Sequence, residues 1–209
     1  MVKEKVAYAF VDAANLFYGG EKSLGWKIDY KKLIRYLKEK YKIKKVFYYA
    51  GIELHGYKYS LLEDKPLNLR MLLNYLQNKL KDKDIEESEI IIVSRHIKRV
   101  KFYLKLEQFG YLLQLKPTKI YWDDDKPIKK ANCDVDMTLD LVRYMGEYQE
   151  ALILSGDGDF ARVLKYLQSK KRSICILARG ERSAKEIRQL AGKNFRDFNY
   201  LRELIKFTQ

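Results

Sequence analysis

The chain has 209 residues, enough to bury a sizeable core without disulfide staples. Lys and Arg number 42 against 28 Asp and Glu, a formal net charge of +14, which excludes an acidic solvating chain and suits a polyanionic partner. With 47% hydrophobic residues the chain is too apolar for disorder, yet no apolar run approaches the ~20 residues of a membrane span.

The opening MVKEKVAYAFVDAANLF passes from charge into an apolar run that contains Asp12. It reads as a core strand over residues 6–11 and not as a signal peptide. Residues 29–40 carry Tyr30, Leu33, Ile34 and Leu37 at helical spacing, with Asp29 as N-cap. A second strand is expected at 46–50. Residues 66–80 read as a helix opened by Pro66. The EIIIV run at 89–93 reads as an extra strand or as part of a loop insertion over 82–98, because charged residues flank it. Residues 99–109 form a helix closed by Gly110, and 111–115 a strand. Helix 134–146, strand 151–155, helix 159–169, strand 173–178 and helix 183–191 follow. A helical tail is expected over 192–209, with its helix at 198–207.

No repeat or Pro/Gly linker divides the chain, so residues 1–209 read as one domain. The alternation of strand and helix predicts an α/β fold, with a mostly parallel sheet covered on both faces. Cys133 and Cys175 are too few for a disulfide framework and suit a reducing cytoplasm. His55 and His96 are the only histidines, and no HExxH or Cys/His cluster exists, which argues against a zinc site.

In open α/β sheets ligands bind beyond the carboxyl ends of the strands. Asp12 ends the first strand. Asp157 and Asp159 follow ALILS inside SGDGDF, where Ser155 and two glycines allow a tight turn. Asp134 opens the helix after the third strand and its loop. All of these acids are expected on one sheet edge. The plainer use of each is capping, since Asp and Ser favour helix N-termini. Two acids around a glycine exceed what one cap requires. Asp136 and Asp140 share one helical face, and Arg143 three residues beyond Asp140 suits an ordinary ion pair. Asp134 ranks first as a ligand, Asp140 next and Asp136 last. Asn15 is placed either to donate to Asp12 or to reach a phosphate oxygen.

Carboxylates gathered on one edge repel each other, and a hard divalent cation relieves that repulsion. An all-oxygen acidic set suits Mg²⁺ or Mn²⁺, which polarise a phosphoryl oxygen and acidify a water. The basic candidates are Lys126, Lys129 and Lys130, then Lys98, Arg99 and Lys101, then Lys170, Lys171 and Arg172. Each run reads equally well as a solvated face. Phe17, Tyr18, Trp26 and Trp122 are candidates to stack bases, with Phe17 expected in the core. Asp123, Asp124 and Asp125 read as a solvated loop.

Three stretches in order, FVDAANLF, KANCDVDMTLDLV and LILSGDGDFARVLKYL, give the chain a resemblance to the NYN domain. That family is a branch of the PIN-like nuclease superfamily and includes the LabA-like proteins. The resemblance covers roughly residues 5–180. It implies a PIN-like three-layer α/β/α sandwich and metal-dependent RNA hydrolysis. Carried over motif by motif, it puts the acidic set on Asp12, Asp134 and Asp157, with Asp140 and Asp159 in support. Asn15 and Ser155 fall on the motif's polar positions, while Lys129 and Lys130, just before Asp134, are the candidate substrate-binding lysines. Ala131 stands where the family often has glycine, and Ala14-Asn15 where it often has Gly-Asn.

The expected function is therefore a Mg²⁺- or Mn²⁺-dependent ribonuclease acting on single-stranded or structured RNA in the cytoplasm. The alternative is a catalytically silent PIN-like module that binds RNA or protein. Haloacid-dehalogenase chemistry needs an acid where Ala14 stands, and a von Willebrand-type metal site needs serines where Ala13 and Ala14 stand. DNA stays open as a substrate, because nothing in the sequence reads a 2′-OH. The oligomeric state is also open, a homodimer included.

Overall fold

The computed structural model describes residues 5–60, 62, 65–82, 84–123 and 126–208, with the backbone alone at 19–21, 120–123 and 126–130. The strands in chain order are β1 (Ala7–Asp12), β2 (Ile43–Ile52), β3 (Leu112–Pro117), β4 (Lys119–Asp123), β5 (Lys126–Lys130), β6 (Glu150–Leu154), β7 (Ser173–Ala178) and β8 (Phe195–Asp197). β4 and β5 pair as an antiparallel hairpin. The other six form one sheet in the order β3-β2-β1-β6-β7-β8, each neighbouring pair parallel.

After β1 the chain enters α1 (Ala13–Asn15), a π-helical turn (Leu16–Glu21) and α2 (Lys22–Leu24). The longer helices are α3 (Tyr30–Tyr41), α4 (Leu69–Lys79), α5 (Glu87–Phe109), α6 (Asp134–Arg143), α7 (Ala161–Ser169) and α8 (Lys185–Ala191), followed by the short α9 (Arg202–Ile205). Successive strand residues face opposite ways, which explains how the apolar β1 feeds two cores. Ala7, Ala9 and Val11 meet Leu33 and Leu37 of α3, Leu72 and Leu76 of α4, and Val100 and Leu106 of α5. Tyr8 and Phe10 meet Met137 and Leu141 of α6, Leu164 and Leu167 of α7, and Ile187 of α8. The result is the expected three-layer α/β/α sandwich. Each buried Leu or Phe contributes about 1.5–3 kcal/mol. Among the described residues no helix is long and apolar enough to cross a membrane.

The Asp29 N-cap of α3 accepts from the Lys32 N–H at 2.9 Å, and Gly110 closes α5 with φ 95°, both as the sequence implies. Four details differ from the sequence reading. Residues 89–93 are helical and belong to α5. Their β-branched run suggests a strand, but the burial of Val93, His96, Ile97, Val100 and Tyr103 has helical spacing. Lys79 Nζ also holds Glu89 Oε1 at 2.7 Å, which docks the first turn of α5 on α4. Second, α4 starts after Asn68, whose Oδ1 accepts from the N–H groups of Arg70 and Met71, so Pro66 lies before the helix. Third, the tail is not wholly helical, because β8 extends the sheet before the turn Phe198–Leu201 and α9. Fourth, the β4–β5 hairpin stands where only a loop was expected.

The chain adds β2 and β3 on one side of β1, then returns to lay β6 against its other side. The crevice between β1 and β6 is therefore the point where strand order reverses, the usual ligand crevice of open α/β sheets. Val11 pairs with Leu154, so Asp12 and Ser155 emerge at the same level.

Candidate active site

Asp12 caps α1 and half-buries its carboxylate. Its Oδ1 accepts from the Asn15 N–H at 3.0 Å and its Oδ2 from the Ser155 hydroxyl at 3.0 Å. Ser155 Oγ accepts in turn from the Asp157 N–H at 3.2 Å, and Asn15 Oδ1 accepts from the Gly156 N–H at 3.0 Å. Two of these bonds, Ser155 to Asp12 and Gly156 to Asn15, lace the end of β1 to the loop after β6, and the other two fasten each segment's own turn. The close approach requires glycine at 156, because a Cβ there would overlap the Ser183 side chain and stand 2.9 Å from the Ser183 Cα. Burial raises the Asp12 pKa above the ordinary carboxylate range. The bonds from Asn15, Ser155 and Ala14 oppose that rise, and the Asp157 charge adds to it.

Asp157 caps the 3₁₀ turn Gly158–Phe160, its Oδ1 accepting from the Asp159 N–H at 3.0 Å. Asp134 is the first residue of α6, and its own N–H donates to Asn132 Oδ1 at 2.9 Å. Carboxylate oxygens of Asp134, Asp157 and Asp159 lie within 4.8 Å of one another. The Asp134 pKa is raised, first by burial and then by the charges of Asp12, Asp157 and Asp159, while Lys116 lowers it. Four of the predicted acids thus share one electrostatic field at the switch point.

Asp140 does not join them. It is buried on the inward side of α6, where Tyr49 Oη donates to its Oδ2 at 3.0 Å and Arg143 Nη1 stands 3.8 Å from its Oδ1. Burial raises its pKa, and the Tyr49 bond and the Arg143 charge pull it back. Asp136 is occupied by Lys116 Nζ at 2.7 Å. Ser155 is 1% exposed and its hydroxyl is committed to Asp12 and the Asp157 N–H, so it orients acids. The Asn15 carboxamide oxygen serves the same lacing. Lys129 and Lys130 lie on β5, but their side chains are outside the described residues, as are those of Lys126 and Trp122. Asp124 and Asp125 lie wholly outside them.

Two aromatics also differ from expectation. Trp26 is buried and stacks on Phe198 at 6.1 Å, so it offers no face to a base. Phe17 is 45% exposed rather than in the core, edge-on to the exposed Tyr18 at 5.2 Å. Lys116, at the carboxyl end of β3, was missed from sequence. The strand-end rule would have found it had it been applied to cations as well as acids.

The sequence model of the NYN domain matches residues 7–199. This chain belongs to the NYN domain family. NYN domains form part of a nuclease superfamily, and the acids at the switch point of this one lie within its matched region. The low amplitude and bright protein LabA of Synechococcus elongatus is 24% identical over 205 residues, covering 96% of this chain and 87% of that protein. A crystal structure of a protein of unknown function from Vibrio parahaemolyticus superposes with a TM-score of 0.62 at 18% identity, covering 93% of each chain, and shows the same fold.

Proposed function

We propose that this NYN domain is a Mg²⁺- or Mn²⁺-dependent ribonuclease that hydrolyses RNA phosphodiester bonds at the β1/β6 switch point. The observation that carries the reading is the convergence of the Asp134, Asp157 and Asp159 carboxylates within 4.8 Å, with Asp12 close enough to raise the Asp134 pKa. Like charges held this close in a fold of net charge +14 call for a cation. The donor set is all oxygen, which fits Mg²⁺ or Mn²⁺ better than a softer metal.

Asp12, Asp134 and Asp157 are the residues proposed to hold the cation, with the exposed Asp159 completing the set. When bound, the metal supplies Lewis-acid polarisation of a phosphoryl oxygen and a water of lowered pKa. The chain supplies the rest. Ser155 and Asn15 fix the Asp12 carboxylate, so its oxygens do not have to be ordered when substrate arrives. Lys116 sets a positive charge beside the acids, where a phosphate backbone passes. Phe17 and Tyr18, just beyond Asp12, offer exposed rings on which unpaired bases stack. Asp140 belongs to the scaffold, tethering α6 to β2 through Tyr49.

The test pairs wild type with Asp157→Asn on single-stranded and structured RNAs, in Mn²⁺ and in chelator, with matched DNA alongside. Asn replaces Asp as an N-cap at little cost, so the fold should survive. Wild type should cut RNA only with metal, and the variant should fall to the chelator background. Full activity in Asp157→Asn sinks the assignment. RNA binding without cleavage in any metal supports the silent-module alternative instead.

A further inference from the structure

A second cluster lies outside the acid group. Glu53 and His55 follow β2 at its carboxyl end, and His96 meets them from α5. His96 Nε2 stands 3.0 Å from Glu53 Oε1, and His55 Nε2 stands 3.7 Å from Glu53 Oε2. The two imidazole rings pack with centroids 4.0 Å apart. One donor atom from each residue lies within 4.8 Å of the others. We propose that Glu53, His55 and His96 form a Zn²⁺-binding site, distinct in its residues and donor chemistry from the acidic group.

The chemistry of the donors is the first argument. Two imidazole nitrogens and one carboxylate are a nitrogen-rich set of the kind zinc takes in three-ligand sites. It contrasts with the all-oxygen acid group, which suits a harder ion. Spacing is the second. Ligands about 2.0–2.1 Å from a tetrahedral zinc stand roughly 3.4 Å apart. His96 Nε2 stands 3.0 Å from one Glu53 oxygen and His55 Nε2 3.7 Å from the other, so small side-chain adjustments reach that spacing.

The backbone supplies a third argument. His55 adopts a left-handed φ of 49°, uncommon outside glycine but taken by histidine more readily than by most residues. Its carbonyl accepts from Tyr75 Oη at 3.0 Å and from Lys79 Nζ at 3.4 Å, which pins the turn. Gly56 follows at φ 90°, and a Cβ there would stand 2.9 Å from Tyr75 Oη. This fastened turn brings one histidine onto a glutamate and a second, buried histidine.

The site also carries a limit on its strength. His96 is buried, and its Nδ1 has no hydrogen-bond partner among the described residues. Zinc-bound histidines normally donate the other ring N–H to an acceptor, and losing that support weakens binding about 10–100-fold. The ion is therefore expected to exchange with a chelator. It would bridge the loop after β2 to α5, so binding should also stabilise the fold. The sequence argument against zinc rested on the absence of a local Cys/His motif, and this trio is assembled from two distant segments.

The experiment titrates the chelator-treated full chain with Zn²⁺, and with Co²⁺ as a spectroscopic probe. Wild type should bind one Zn²⁺ at this site, melt at a higher temperature, and give the visible absorption of four-coordinate Co²⁺. Asp157→Asn should keep all three, which separates this site from the nuclease reading. His55→Asn keeps a residue tolerant of left-handed φ and should weaken Zn²⁺ binding at least about 10-fold. His96→Gln should do the same, and far-UV circular dichroism shows whether it folds. Should it not fold, the His55→Asn result decides. Wild type that takes up no Zn²⁺ overturns the proposal and leaves a cluster of two histidines packed on a glutamate. Zn²⁺ binding lost in Asp157→Asn but intact in His55→Asn also overturns it.

Discussion

Replacing Asp134 by Asn should stabilise the metal-free protein while removing its response to Mn²⁺. The Asp134 carboxylate has two acidic neighbours, Asp157 and Asp159, within 4.8 Å. At that separation one like-charge pair costs about 0.9 kcal/mol in water and about 3.5 kcal/mol at an effective dielectric of 20. Asp134 is only half-buried, so solvent screening keeps the value near the lower figure, or about 1–2 kcal/mol for both pairs. Against this, an acid in the first turn of α6 gains about 0.3–1 kcal/mol from the helix dipole. The net expectation is a gain of about 1 kcal/mol, or roughly 2–4 °C in Tm for a chain of this size.

The pH dependence has a definite sign. The folded pKa of Asp134 is raised, burial first and neighbouring carboxylates next. Protonation therefore favours the fold. That stabilisation is complete below the ordinary value near 3.8 and is lost as pH rises through the raised value. The advantage of Asp134→Asn should be absent in acid and should open as pH climbs toward neutrality. The assay is thermal and urea unfolding across pH, in chelator and in millimolar Mn²⁺. An Asp134→Asn protein that is less stable than wild type in chelator at neutral pH refutes the reasoning. So does one that keeps the wild-type Mn²⁺ shift.

Two further outcomes separate scaffold from site. Tyr49→Phe removes the hydroxyl that donates to the buried Asp140 carboxylate at 3.0 Å, leaving Arg143 at 3.8 Å. Urea unfolding should show a loss of about 1.5–3 kcal/mol with the Mn²⁺ shift unchanged. A lost Mn²⁺ shift there would place Asp140 in the metal site. Gly156→Ala drives a Cβ against Ser183, whose Cα at 2.9 Å cannot rotate away. It should destabilise by about 1–3 kcal/mol and lower metal-dependent cleavage, since the loop carries Ser155 and Asp157. Unchanged melting in Gly156→Ala would show that the lacing of β1 to β6 is looser than these contacts imply.

Much of the molecule was legible because the forces that decide it act over a few residues. An apolar run buried on both faces marks β1. Asp29 caps α3 and Gly110 closes α5, each through bonds to its own turn. The acids at the ends of β1 and β6 follow from strand position, and only the parallel pairing had to be assumed. The EIIIV run misled because its residue types favour strands, while its place in α5 is decided by Val93, Ile97 and Val100 packing on the core.

Other features belong to tertiary structure alone. In sequence Asp134 and Asp140 differ only in rank, as ligand candidates on one amphipathic helix. What separates them is Tyr49, which arrives from β2 and takes Asp140 out of the crevice. Lys116 reaches Asp136 from the end of β3, and His96 reaches Glu53 from α5. No local pattern encodes such meetings, because they depend on which elements the sheet order brings side by side. The amino-acid sequence by itself determined the layers, the caps and an acidic strand edge on a basic chain. The packed structure decided which of those acids face one another and which histidines meet a glutamate.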